Sequence, residues 1–291
     1  MKIAEIFLRK PTTVSFEIFP PKPDAPFAPV LDAINRLSAL RPDFISVTYG
    51  AAGVHRGCTM EIAEHIAACG IAALVHLTCI ASSPKETDDI LEALKERHLR
   101  NVLALRGDPP VGDPPFGYPM LAGKIFAKDL VERIKSSGGF CVAAAAYPEG
   151  HPECPNRALE LFYLKEKIAA GVDFLITQIF FDNAFFYGFL EELDRAAVAL
   201  PVSAGIMPVF SQKQVERICA LCGASIPKKL RLLMDKYGHS QDEMQKAGLE
   251  YASLQIEDLL EHNVRGVHLY TMNRPELAEF LVANTKLRQA L

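Results

Sequence analysis

The sequence predicts an α/β protein, a closed (β/α)8 barrel of the TIM type with a helical insertion before its last strand. Three observations predict it. Eight short, β-rich apolar runs recur along the 291 residues. Helix-like segments separate them, which implies right-handed crossovers and a parallel sheet. Polar residues collect at the C-terminal ends of the runs, where such a barrel builds its sites.

The runs are residues 14–19, 44–49, 74–79, 101–106, 141–147, 174–180, 202–207 and 266–271. Between the first two, residues 27–40 place Val30, Leu31, Ile34 and Leu37 on one helical face. Residues 86–94 put Ile90, Leu91 and Leu94 together behind Ser83-Pro84, and proline suits a first helical turn because no donor is lost there. Residues 157–170 carry Leu161, Leu164 and Ile168 and stop before Gly171, a C-cap residue. The last two strand starts lie 64 residues apart. That interval, 208–265, reads as helices over 212–222, 226–238 and 242–261. Residues 107–119 hold five prolines and three glycines and therefore form a loop after strand four. No linker rich in Gly, Pro or Ser divides the chain, so residues 1–291 read as a single barrel domain.

Composition narrows the function classes. Hydrophobic residues make up 49%, enough for a large core, and 23% charge with apolar residues throughout excludes disorder as the main state. A net charge of -4 argues against a nucleic-acid binder. No apolar run approaches the roughly 18 residues of a membrane span. The N-terminus lacks a secretory apolar core, which makes cytoplasmic residence the expectation. The seven cysteines are odd in number and dispersed, a poor disulfide framework. Cys219 and Cys222 read as two buried thiols one helical turn apart rather than a redox or metal pair. No metal site is expected: His151-x-x-Cys154 is the nearest spacing and has no further partners. The glycine pattern of a dinucleotide-binding Rossmann turn is absent after strand one.

Alternation along strand one puts Val14, Phe16 and Ile18 on one face and Ser15 and Glu17 on the other. The apolar face suits the helix layer, so Glu17 should point into the barrel mouth. Withdrawing a carboxyl from water favours its protonated form, which a general acid near neutral pH requires. The alternative is a Glu paired with a nearby Arg or Lys. Thr48 and Tyr49 close strand two, and His76 and Thr78 share a face of strand three. Arg106-Gly107-Asp108 ends strand four, where Arg offers a fork for phosphate and Gly a close approach; a plain surface turn is the alternative. Tyr147 and His151 follow strand five, Thr177 and Gln178 end strand six, and Arg274 follows strand eight.

Taken together, these segments resemble the methylenetetrahydrofolate reductase family. The matching motifs are Ser15-Phe16-Glu17-Ile18-Phe19-Pro20-Pro21, Ser46-Val47-Thr48-Tyr49-Gly50-Ala51, His76-Leu77-Thr78-Cys79 and Ala104-Leu105-Arg106-Gly107-Asp108. They continue through Ala146-Tyr147-Pro148-Glu149, His151-Pro152-Glu153, Thr177-Gln178, Phe180-Phe181-Asp182, Gly205-Ile206-Met207-Pro208-Val209 and Tyr270-Thr271-Met272-Asn273-Arg274. The resemblance touches all eight strands and is closest to the compact bacterial form. It implies a TIM-barrel flavoenzyme with non-covalent FAD. NADH or NADPH would reduce the flavin, and 5,10-methylenetetrahydrofolate would then take the hydride to give 5-methyltetrahydrofolate. By the same resemblance Glu17 is the general acid and Asp108 the electrostatic stabiliser of the folate cation. Thr48, Tyr49, Ala51, His76, Arg106, Gly107, Asp108, Tyr147, His151 and Lys167 match flavin-binding positions; Gln178, Gln214 and Arg274 match folate contacts. Departures fall at Phe126, where the family often has Tyr, and at Tyr163 and Glu166, which stand for an Asn and an Arg that contact FAD. Relatives also imply a homo-oligomer, and some draw electrons from a partner subunit.

Overall fold

The computed structural model describes residues 1–49, 56–80, 82–107, 126–154 and 156–291. Its eight strands close into one parallel barrel in sequence order, with β8 hydrogen-bonded back to β1. The strands are β1 (Thr13–Ile18), β2 (Phe44–Val47), β3 (Ala72–Thr78), β4 (Asn101–Leu105), β5 (Cys141–Ala146), β6 (Phe174–Thr177), β7 (Val202–Ile206) and β8 (Gly266–Tyr270). The expected runs and the observed strands coincide to within a few residues. The largest difference is at β6, whose run continues to residue 180. There the chain leaves the ladder while Ile179 and Phe181 stay buried in a separate apolar cluster.

The helices that follow the strands are α2 (Ala28–Ala39), α3 (Arg56–Ala68), α4 (Pro84–Glu96), α5 (Ala127–Ser137), α6 (Arg157–Ala169) and α7 (Asn183–Arg195). Their starts obey local chemistry. The Ser83 hydroxyl accepts from the Glu86 backbone while Glu86 reaches back to Ser83, a complete capping box with Pro84 behind it. The Asn156 side chain caps α6, which stops before Gly171 at φ +116°. Val14, Phe16 and Ile18 pack outward with Val30, Ile34 and Leu37 of α2, as alternation requires.

Between β7 and β8 lie α8 (Gln212–Cys222), α9 (Lys228–Tyr237) and α10 (Gln241–Glu261), and α11 (Pro275–Asn284) and α12 (Leu287–Ala290) end the chain. The expected insertion therefore divides in two. α10 packs against α7 and α11 as the crossover helix of the last unit. α8 and α9 are the added part. Their Val215, Leu230 and Met234 cover Ile179, Phe181, Met207 and Val209 beside the rim.

A helix at the N-terminus, α1 (Ile3–Arg9), was not legible. Ile3, Ile6 and Phe7 fall at i, i+3 and i+4 and enter the bottom of the barrel with Phe44, Leu74, Leu103 and Phe174. Asn101 holds the plug: its Oδ1 accepts from Ile3 N at 2.8 Å and its Nδ2 donates to Met1 O at 3.2 Å. Lys2, the N-cap, supplies no side-chain hydrogen bond, so the start carries no signal. Among the described residues, no helix is long and apolar enough to cross a membrane.

Candidate active site

Parallel pairing decides which residues meet in the barrel interior. Glu17 is opposite Ser46 on β2 and Tyr270 on β8, and Ser15 is opposite His268. Glu17 is only 6% exposed. Its Oε2 lies 3.5 Å from Ser46 Oγ, 3.5 Å from His76 Nε2 and 3.6 Å from His268 Nε2. No Arg or Lys among the described residues pairs with this carboxyl; its neighbours are two imidazoles and a hydroxyl. Burial pushes His76 down to about 4, against the partial opposition of Glu17, so this ring is neutral near pH 7. Thr271 Oγ1 donates to the Glu17 carbonyl at 2.6 Å and ties the end of β1 to the residue after β8.

His268 is the residue that the sequence reading missed. It is fully buried, with Nδ1 2.7 Å from Ser15 Oγ and its ring stacked on Phe44 at 5.9 Å. Its signal was the alternation of β8, where His268 and Tyr270 interrupt Val267 and Leu269 in the same period as Ser15 and Glu17.

Tyr270 spans the mouth. Its hydroxyl donates to Thr177 O of β6 at 2.7 Å, crossing β7 at Gly205. A Cβ on Gly205 would sit 2.8 Å from the Tyr270 ring and 2.3 Å from Thr177 O, so only glycine lets the ring lie there. Burial pushes the Tyr270 phenol well above its usual range, with Glu17 adding to the shift. Beyond Thr177, the Gln178 side chain accepts from Ile179 N at 2.9 Å. Gln214 and Arg274 meet at Phe210: Gln214 Oε1 accepts from Phe210 N at 2.9 Å, and the Arg274 guanidinium lies 4.8 Å from the Phe210 ring centroid. Arg274 also donates to Gln245 at 2.9 Å and pairs with Glu276 at 2.8 Å.

A cavity of about 470 Å³ opens at the C-terminal ends of β4 and β5 and runs out between α5 and α6. Arg106, Tyr147, His151 and Lys167, four of the expected cofactor-binding residues, line it together. Arg106 is held in a bidentate pair by Glu153, with Nη2 3.0 Å from Oε1. His151 Nδ1 accepts from Glu153 N, and Glu160 accepts from His151 N, which fixes the loop that carries the imidazole. Lys167 donates to Ala145 O at 2.8 Å. Among the described residues it forms no ion pair, and burial pushes it down to about 8. Phe126, Tyr163 and Glu166 also line the cavity, and Glu166 pairs with Lys128 at 3.1 Å. Lys128 therefore supplies a cation beside the acid of α6.

Gly107 takes φ +86° where a Cβ would meet Thr78 at 2.9 Å, which accounts for a glycine after Arg106. Thr48 N donates to Ile18 O at 3.1 Å, and Tyr49 is buried at the end of β2. Ala51 and Asp108 lie outside the described residues. Cys219 and Cys222 are half-buried rather than buried, because they end α8 on its outer turn. Burial still pushes the Cys219 thiol up to about 11. No group of three or more His, Cys, Asp or Glu among the described residues could hold a metal ion.

With this geometry in hand, the comparisons with known proteins are specific. The family model described as Methylenetetrahydrofolate reductase matches residues 2–286. The 5,10-methylenetetrahydrofolate reductase of Escherichia coli (strain K12) is 33% identical over 279 residues, which covers 96% of this chain and 92% of that protein. Methylenetetrahydrofolate reductase (NADH) 1 of Arabidopsis thaliana is 31% identical over 299 residues, 98% of this chain and 50% of that protein. The chain thus spans about half the length of the plant relatives it matches. Among solved structures, an uncharacterized protein from Clostridium thermocellum, described as binding two copies of 5-methyl-5,6,7,8-tetrahydrofolic acid, has the same fold. Its TM-score is 0.69 at 15% identity, covering 99% of this chain and 100% of that one.

Proposed function

We propose the function that follows from one premise: the chain belongs to the methylenetetrahydrofolate reductase family. It reduces 5,10-methylenetetrahydrofolate to 5-methyltetrahydrofolate, with FAD as cofactor and NADH, NADPH or a partner subunit as the electron source. The observation that carries this reading is the Glu17 carboxyl, 6% exposed at the mouth of the barrel and free of any Arg or Lys partner among the described residues.

The cavity residues fit the cofactor. Lys167 is a half-buried cation without a carboxylate partner among the described residues, which suits an anionic phosphate. Phe126, Tyr147, Phe162 and Tyr163 offer flat faces to a ring system. Arg106 and His151 complete the wall toward the barrel. When bound, FAD would supply hydride-transfer chemistry between the nucleotide and the folate.

The chain's own residues do the rest. Glu17 protonates the ring nitrogen of the folate as the five-membered ring opens to a cation. Neutral His76 adds no positive charge beside that cation. The carboxylate of Asp108 stabilises it. Gln178, Gln214 and Arg274 hold the folate, with Thr48 and Tyr49 toward the flavin.

The test separates the two half-reactions anaerobically. Glu17→Gln keeps its shape and cofactor, and reduction of the flavin by nucleotide is unchanged. Reoxidation by methylenetetrahydrofolate slows by roughly 10²-fold or more, the scale of a lost general acid. Near-normal folate reduction in this variant overturns the assignment.

A further inference from the structure

The contacts of Glu17 are one-sided. Every contact of its carboxyl among the described residues falls on Oε2: Ser46 Oγ at 3.5 Å, His76 Nε2 at 3.5 Å and His268 Nε2 at 3.6 Å. Oε1 has no polar partner among the described residues. Of the two imidazoles, His268 is the fixed one. Its ring is fully buried between Phe44 and Tyr270, at 5.9 and 5.2 Å between centroids, and its Nδ1 is 2.7 Å from Ser15 Oγ. Below it, Phe7, Phe44 and Phe174 close the barrel, so no solvent reaches the ring from that side.

We propose that His268 is a positioning residue for Glu17: Ser15 donates to His268 Nδ1, the ring carries its proton on Nε2, and that proton is aimed at Glu17 Oε2. The consequence is chemical. An oxygen that accepts from Ser46 Oγ at 3.5 Å and faces His268 Nε2 at 3.6 Å is the poorer site for the carboxyl's own proton. The proton therefore resides on Oε1, the oxygen that faces the folate nitrogen. Ser46, between Glu17 and His268, reinforces the same oxygen. The titratable groups facing this carboxyl are His76 from β3 and His268 and Tyr270 from β8. His268 touches no reacting atom and acts through Glu17. This proposal rests on the general-acid reading of Glu17.

Two measurements test it. The first is the nitrogen-15 spectrum of the imidazoles in the unsubstituted holoenzyme, with the His268 signals assigned by their loss in H268Q. A proton on Nε2 and a bare Nδ1 support the proposal; a proton on Nδ1 overturns it. The second compares H268N and H268Q in the folate half-reaction. Asn reaches Ser15 but not Glu17, whereas Gln places an amide near the Nε2 position. H268N slows folate reduction about tenfold to a hundredfold, the scale on which a misplaced reacting group costs rate, and H268Q restores most of it. The pH profile of folate reduction moves in H268N, while flavin reduction by nucleotide does not change. E17Q run alongside separates the failures. A slow E17Q with a normal H268N overturns the positioning proposal alone, and a normal E17Q overturns the general-acid reading together with it.

Discussion

On the proposed reading, Lys167 would couple cofactor binding to pH. Its ammonium sits on the Ala145 carbonyl inside the cavity, and burial brings it down to about 8. An anionic phosphate beside it favours the charged form, so binding raises this value again. Below about 8 the lysine is already charged and binding takes up no proton. Above about 8 each binding event takes up a proton, so affinity falls as pH rises, by at most about tenfold per pH unit. FAD titrations followed by fluorescence quenching, from about pH 7 to about pH 9, should show that fall. Lys167→Met should bind more weakly with a flat profile over the same range. A flat profile in the unsubstituted protein would separate Lys167 from the phosphate. The residue itself was legible only through the resemblance, because a lysine on a helix face carries no signal of burial. Glu17 was legible from alternation alone. His268 was not singled out, although it alternates with Tyr270 on the polar face of β8 as Ser15 does with Glu17 on β1.

At the scale of elements, strand positions were readable because an apolar run bounded by polar and turn residues has few other uses in a parallel sheet. Helix starts were readable where a cap is written in the sequence, as at Ser83. α1 has no such cap and only two turns, so its i, i+3, i+4 pattern stayed below notice. Its apolar face is nevertheless buried: Phe7 is 1% exposed and lies 5.1 Å from the ring of Phe174. Phe7→Ala should therefore destabilise the fold by about 3–5 kcal/mol, the cost of emptying a packed aromatic site. Urea unfolding measures it, and a loss below about 1 kcal/mol would mean that α1 is not part of the cooperative unit. Gly205 makes the opposite point at the rim. Gly205→Ala puts a Cβ 2.3 Å from Thr177 O and 2.8 Å from the Tyr270 ring, so the end of β6 must give way and the phenol loses its seat there. Folate reduction should fall while the far-ultraviolet circular dichroism stays that of the parent. An unchanged rate would show that the Tyr270 bridge does not shape the mouth.

Across the whole molecule, the barrel interior is divided. Ser15, Glu17, Ser46, His76 and His268 bring polar groups inside at β1, β2, β3 and β8, beside Phe44 and Leu74, while Leu103, Cys141, Ala143, Phe174 and Ile176 make β4 to β6 apolar below the rim. α1 closes the lower end, and α8 and α9 cover one side of the upper end. Among the described residues, two adjoining surfaces at the C-terminal rim therefore stand open to ligands. One is the cavity between α5 and α6; the other is the polar mouth at β1 and β8. Hydrogen exchange separates these two surfaces. FAD should protect amides within 126–154 and 156–167, where the cavity walls lie. A folate added afterwards should protect the ends of β1 and β8 and the chain around Gln178. Exchange in α1 should not respond to either ligand beyond the general stabilisation that any bound ligand gives. Folate protection confined to α5 and α6, with none at β1 or β8, would place the substrate away from Glu17 and remove the reason for a carboxyl at the mouth.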